Sequence, residues 1–112
     1  MSVTIHIKSN RFAEIGKQFH NEASQVVRKT TLDVEAGAKR LVPVDTGLLR
    51  NSIISTMESD LTGVVSTNVE YSVYVEYGTR KMSAQPYMTP AAEAVRQPFI
   101  QAMQHIVRDV NN

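Results

Sequence analysis

No cysteine and no tryptophan occur in the 112 residues of this chain. Without thiols there is no disulfide, no zinc–thiolate site and no cysteine nucleophile, a composition that fits a reducing compartment. An excess of one charge is also missing. Twelve Lys and Arg stand against eleven Asp and Glu, a net charge of +1, so no global field draws in nucleic acid or an anionic membrane surface. Any binding has to be local. Nowhere do roughly 18 apolar residues run without a charge, the minimum for a spanning helix. The N-terminal Met1–Lys8 alternates apolar and polar residues and lacks a basic start followed by an apolar run, so it does not read as a signal peptide. A soluble protein, made in the cytoplasm, is the expectation.

A 42% hydrophobic and 21% charged composition is ordinary for a globular protein, and this length suits one domain spanning residues 1–112. Val3, Ile5 and Ile7 alternate with Thr4, His6 and Lys8, the period of a half-buried strand. Ser9-Asn10 offers a cap. Phe12, Ile15, Phe19, Ala23, Val26, Thr30, Val34, Gly37 and Leu41 then recur near the helical period and predict one long helix. Pro43 disfavours helical geometry at Val42 and should stop it near Leu41. Gly37, Thr30 and Thr31 are points where it is weakest.

Asp45 is placed to cap a short turn through Thr46 to Arg50. Ser52–Glu58 and Val64–Val69 read as two antiparallel strands joined by a polar loop ending in Gly63. Tyr71–Tyr77 fits both a helical turn and a strand, and a short helix ending at Gly78 is the favoured reading. Thr79–Met88 forms a loop that projects from the body. Thr89-Pro90 signals a helix start, and Val95, Phe99, Ala102, Met103, Ile106 and Val110 supply its buried stripe, with Pro98 expected to kink it. The sum is an α+β fold, a small antiparallel β-sheet packed against a long N-terminal helix and a C-terminal helix.

The sharpest enzymatic candidate is Asp45-Thr46-Gly47. Aspartic proteases place this triplet in a loop where two carboxylates share a proton and activate water. A single copy would require a homodimer of the retroviral type. The context argues against it: the triplet follows a predicted helix and Pro43, and Arg50 nearby favours ionising both aspartates rather than sharing a proton. The simpler reading is a turn aspartate capping its own loop.

His6, His20 and His105 are widely separated and show no metal-ligand spacing. Glu76 has no accompanying nucleophile and reads as an ion-pair partner, with Arg50 the candidate. The basic pairs Arg28-Lys29, Lys39-Arg40 and Arg80-Lys81 lack the aromatic interleaving of a nucleic-acid footprint. Gly47, Gly63 and Gly78 form no phosphate-cradling loop. No cofactor, metal or small-molecule substrate is implied.

Two phrases, Val42-Pro43-Val44-Asp45-Thr46-Gly47-Leu48-Leu49-Arg50-Asn51-Ser52-Ile53 and Tyr71-Ser72-Val73-Tyr74-Val75-Glu76-Tyr77-Gly78-Thr79, carry a further resemblance. Together with a preceding basic helical segment, a hairpin and a closing helix, the chain from about residue 20 to 108 resembles the tail-component family of long-tailed bacteriophages and prophages. That family is variously described as head-tail joining, neck or tail-completion protein. Pro43, Asp45, Thr46, Gly47, Leu49, Arg50 and Ser52 fill its first phrase. Tyr71, Val75, Glu76, Gly78 and Thr79 fill the second. Ala84, Pro86, Tyr87, Pro90 and Ala91 fill a third, with Tyr87 where phenylalanine is more usual.

The resemblance implies a structural role in virion assembly: a subunit of an oligomeric ring at the end of the tail or at the head-tail junction, assembled in the bacterial host cytoplasm. Its partners would be further copies of itself and other neck or tail proteins, with no membrane and no specific nucleic acid. Arg80, Lys81 and Met82 are the expected interface residues. A host interaction module derived from a prophage is a third reading.

Overall fold

The computed structural model describes residues 2–6, 17–43 and 47–111. In chain order these form β1 (Ser2–His6), α1 (Lys17–Leu41), α2 (Gly47–Ser52), β2 (Ile54–Ser59), β3 (Thr62–Ser66), α3 (Ser72–Tyr77) and α4 (Met88–Asn111). The sheet is antiparallel with order β1-β3-β2. The expected hairpin is therefore β2–β3, and β1 adds to the far side of β3. Ile7 and the Ser9-Asn10 cap lie outside the described residues, as do Phe12, Ile15, Asp45 and Thr46.

Pairing aligns the apolar positions of three strands on one face. Val3 and Ser55 both pair with Val65, while Ile5 and Met57 both pair with Gly63. Directly paired residues share a face, and this face looks toward α1. At Gly63 the approach is so close that a Cβ there would lie 1.9 Å from Thr31 Oγ1 and 2.9 Å from Thr31 Cβ. Gly63 thus sits inside β3 to admit the helix, instead of closing the hairpin loop as the sequence suggested. Thr31 turns its hydroxyl back onto its own helix, donating to the Val27 carbonyl at 2.7 Å.

Helix α1 runs unbroken through Thr30, Thr31 and Gly37 and ends at Leu41. Lys39 and Arg40 in its last turn complement the helix dipole. Its buried face is Phe19, Ala23, Val27, Thr30, Thr31, Val34 and Ala38. Leu41, read as part of the stripe, is instead exposed.

Helix α4 packs along α1 in the opposite direction, since Gly37 meets Ala91 near one end and Phe19 and Ala23 cluster with Ile106 near the other. The main core gathers Val34, Ala38, Val42, Leu49, Ile53, Val65, Val75, Tyr87, Met88 and Ala91. Beyond the first turns of α4 burial is partial. Val95, Phe99, Ala102 and Met103 are half-buried, Ile106 is buried, and the helix continues through exposed Pro98. The molecule is elongated, 55 × 22 × 20 Å.

Candidate functional site

The described residues of the two phrases meet at the end of the molecule where α1 stops. Leu49 on α2 is fully buried, and Val75 on α3 is buried in the same core. Between them runs a chain of hydroxyls. The Val69 amide donates to Thr67 Oγ1 at 3.2 Å, Thr67 and Ser52 share a hydroxyl–hydroxyl bond, and Ser52 Oγ donates to the Leu49 carbonyl at 2.7 Å. Because Ser52 spends its proton on Leu49, the shared bond runs from Thr67 to Ser52. This relay ties α2 to the segment leading into α3.

Glu76 is 2% exposed and makes the most consequential contacts of the second phrase. Its Oε1 accepts the amides of Tyr87 at 3.1 Å and Met88 at 2.8 Å, and its Oε2 accepts that of Thr89 at 3.1 Å. Amides at a helix start have no partner within the helix, and a carboxylate there also favours the helix dipole. Burial raises the Glu76 pKa, but these amides and the Thr89 side chain outweigh it and hold the carboxyl below its ordinary value.

Glu76 is therefore a cap supplied from 11 to 13 residues upstream, and two expectations are corrected. Helix α4 begins at Met88, one residue before the Thr89-Pro90 signal, with Pro90 inside its first turn. Glu76 also does not pair with Arg50. The described ion pairs are Lys29–Asp33 and Lys39–Glu35, His20 is hydrogen-bonded to Asp60, and the half-buried Arg50 keeps its Nε buried without a hydrogen bond.

The cap closes the segment Thr79–Pro86, every residue of which is exposed. Three further devices fix its backbone. The Gln85 amide donates to the Val75 carbonyl at 2.8 Å. Thr79 and Met82 exchange backbone bonds of 2.8 and 3.4 Å, and the Lys81 amide donates to Thr79 Oγ1 at 3.2 Å. Gly78, at φ 80° and ψ 177°, adopts a conformation open essentially to glycine alone, and a Cβ there would lie 2.7 Å from the Ala84 amide nitrogen. Arg80, Lys81 and Met82 project from this braced loop. Val73, Tyr74 and Tyr77 on the outer side of α3 are exposed as well, Tyr77 to 68%.

The remaining candidate residues have plainer settings. Pro43 follows the last turn of α1, Pro86 is exposed, and Tyr71 packs half-buried on the core. Gly47 opens α2 with empty space around its Cβ position, so the backbone asks nothing special of it. Tyr87 is fully buried; burial pushes its phenol pKa up, and its hydroxyl lies near Ser72 without a hydrogen bond.

Gly47 of the Asp45-Thr46-Gly47 triplet is the first residue of α2, and the element before the triplet in the chain is helix α1, ending at Leu41, whereas a protease loop follows a strand. Among the described residues no group of His, Asp or Glu is arranged to hold a metal ion, and no helix is long and apolar enough to cross a membrane.

Neither the curated proteins nor the solved structures yielded a match to this chain. A family model did, described as "Bacteriophage HK97-gp10, putative tail-component", over residues 9–78. The match takes in both phrases up to Gly78 and stops before the third. Covering more than half of the sequence, it establishes that the chain belongs to the HK97 gp10-like family of phage tail components.

Proposed function

We propose that this tail component is a structural, non-catalytic subunit of the particle, a minor tail or head-tail joining (neck or tail-completion) protein that assembles into an oligomeric ring. The observation that carries the reading is the loop Thr79–Pro86, exposed at every residue and yet braced by Glu76, Gly78 and the Val75 carbonyl. Burial within the chain does not account for that order. A surface fixed before it meets its partner loses little entropy on binding. The Tyr, Met and Arg side chains displayed there are types enriched at protein interfaces. The partners are further copies of the chain and other neck or tail proteins, and the working location is the virion, reached by assembly in the host cytoplasm.

Deleting the gene from the encoding phage and supplying Arg80→Glu with Lys81→Glu in trans tests this reading. Electron microscopy should show unjoined heads and tails, or tails of abnormal length, with the deletion and with the variant, and normal particles with the wild-type chain. Normal particles from the deletion strain would refute the role. Normal particles from the variant alone would refute the loop as the contact.

A further inference from the structure

Two exposed segments of the chain carry opposite charges. From Tyr71 to Tyr87 the exposed charged residues are Arg80 and Lys81, Glu76 being buried under the α4 amides. From Ile54 to Ser66 they are Glu58 and Asp60, and this hairpin has no Lys or Arg. A register shift between Met57 and Ser59 leaves Glu58 as the extra residue of a bulge, outside the regular pairing, an arrangement that re-aims a side chain. Within the chain, Glu58, Arg80 and Lys81 have no ion-pair partner among the described residues.

The two surfaces also sit at opposite ends of α1. Asp60 bonds His20 at 3.1 Å near the start of the helix. Val75 and Tyr87, beneath the braced loop, pack with Ala38 and Val42 at its end. His20 and Ala38 are about 27 Å apart along a helix rising about 1.5 Å per residue. The basic loop and the acidic tip therefore do not neutralise one another within one molecule.

We propose that the acidic β2–β3 tip of one copy, Glu58 and Asp60, docks on the Arg80-Lys81 loop of the next, with Tyr74, Tyr77 and Met82 of α3 and the loop forming the apolar part of the contact. The contact rests on the assembly reading above and specifies it. It joins two different patches, the head-to-tail geometry that closes into a ring when the rotation between copies allows. Charge complementarity selects the register and excludes a tip-on-tip or loop-on-loop pairing.

Charge reversal at each patch, alone and mixed, tests the pairing. Light scattering across concentration is measured for the wild-type chain, for Arg80→Glu with Lys81→Glu, for Glu58→Lys with Asp60→Lys, and for an equimolar mixture of the two variants. The wild type should associate, and each variant alone should need a concentration higher by about 10-fold or more, the effect of losing close charge pairs. The mixture should regain association to within about 3-fold of wild type, since each variant then presents the charge the other lacks.

Circular dichroism establishes that both variants are folded; should either not be, Arg80→Ser with Lys81→Ser and Glu58→Gln with Asp60→Asn replace them, with weakened association from both expected. A wild-type chain that stays monomeric throughout, reversals without effect, or folded reversal variants that fail to restore one another would overturn the pairing. If the loop variant alone also fails to build particles while the tip variant succeeds, the assembly role stands and another tail protein occupies the loop.

Discussion

The backbone amide of Met88 donates to Oε1 of Glu76 at 2.8 Å, the shortest of three bonds by which a carboxylate on α3 caps the first turn of α4. One side chain thereby fixes a helix start and closes the loop that precedes it. Glu76→Ala leaves three amides at the head of α4 without this acceptor and should cost about 2–4 kcal/mol, near the sum of a lost cap and a lost charged hydrogen bond. Chemical denaturation measures the loss. Hydrogen exchange should quicken first at Tyr87, Met88 and Thr89.

Acid should act through the same contact. The amides of Met88, Tyr87 and Thr89 outweigh desolvation and depress the Glu76 pKa below its ordinary value of 4.5. Glu35 is depressed too, first by its bond to the Ser55 hydroxyl and then by Lys39, against its own desolvation. A carboxyl with a depressed folded-state pKa stabilises the fold fully above its unfolded value and loses that contribution as pH falls through the folded value. Thermal stability should be steady above about pH 5 and fall below about pH 4.5. In Glu76→Gln the fall should be shallower, with the Glu35 share remaining.

At Gly63 the sheet and α1 compete for one methyl-sized space. Gly63→Ala should destabilise by about 2–3 kcal/mol, because Thr31 Oγ1, Cβ and Cγ2 all fall within 3.0 Å of the added Cβ. Thr31→Ala removes two of those three atoms. The double variant should therefore recover part of the loss, and a double-mutant cycle should give a coupling on the order of 1 kcal/mol.

Gly78 and Gly47, both in the phrases, should respond oppositely to the same change. Gly78→Ala meets a positive φ and a backbone clash and should cost at least about 2 kcal/mol. Gly47→Ala faces open space at a helix start and should stay within about 0.5 kcal/mol of wild type. Denaturation midpoints measured together settle both.

Elements whose signal is local could be read from the chain. Alternation marked β1, Pro43 marked the end of α1, and Gly78 marked the end of α3, as found. Contacts made across the fold could not be read. No local spacing shows that Glu76 will reach amides 11 to 13 residues away, so it passed for an ion-pair partner of Arg50. Gly63 carried the residue type of a hairpin loop, but its role follows from Thr31 lying over it. The inner face of α1 includes Val27, Thr31 and Ala38, which extend the single predicted stripe because the sheet and α4 cover the helix from two sides. The Thr79–Pro86 loop was legible as a projecting basic segment, whereas its bracing depends on the Val75 carbonyl and the Glu76 carboxylate.

The central claim, that this tail component works by assembling, is tested most directly by light-scattering mass across concentration, alone and with the tail-tube and connector proteins. The predicted result is a mass that rises with concentration toward a closed oligomer, or a stable complex with one of those proteins. A strict monomer that binds neither would contradict it.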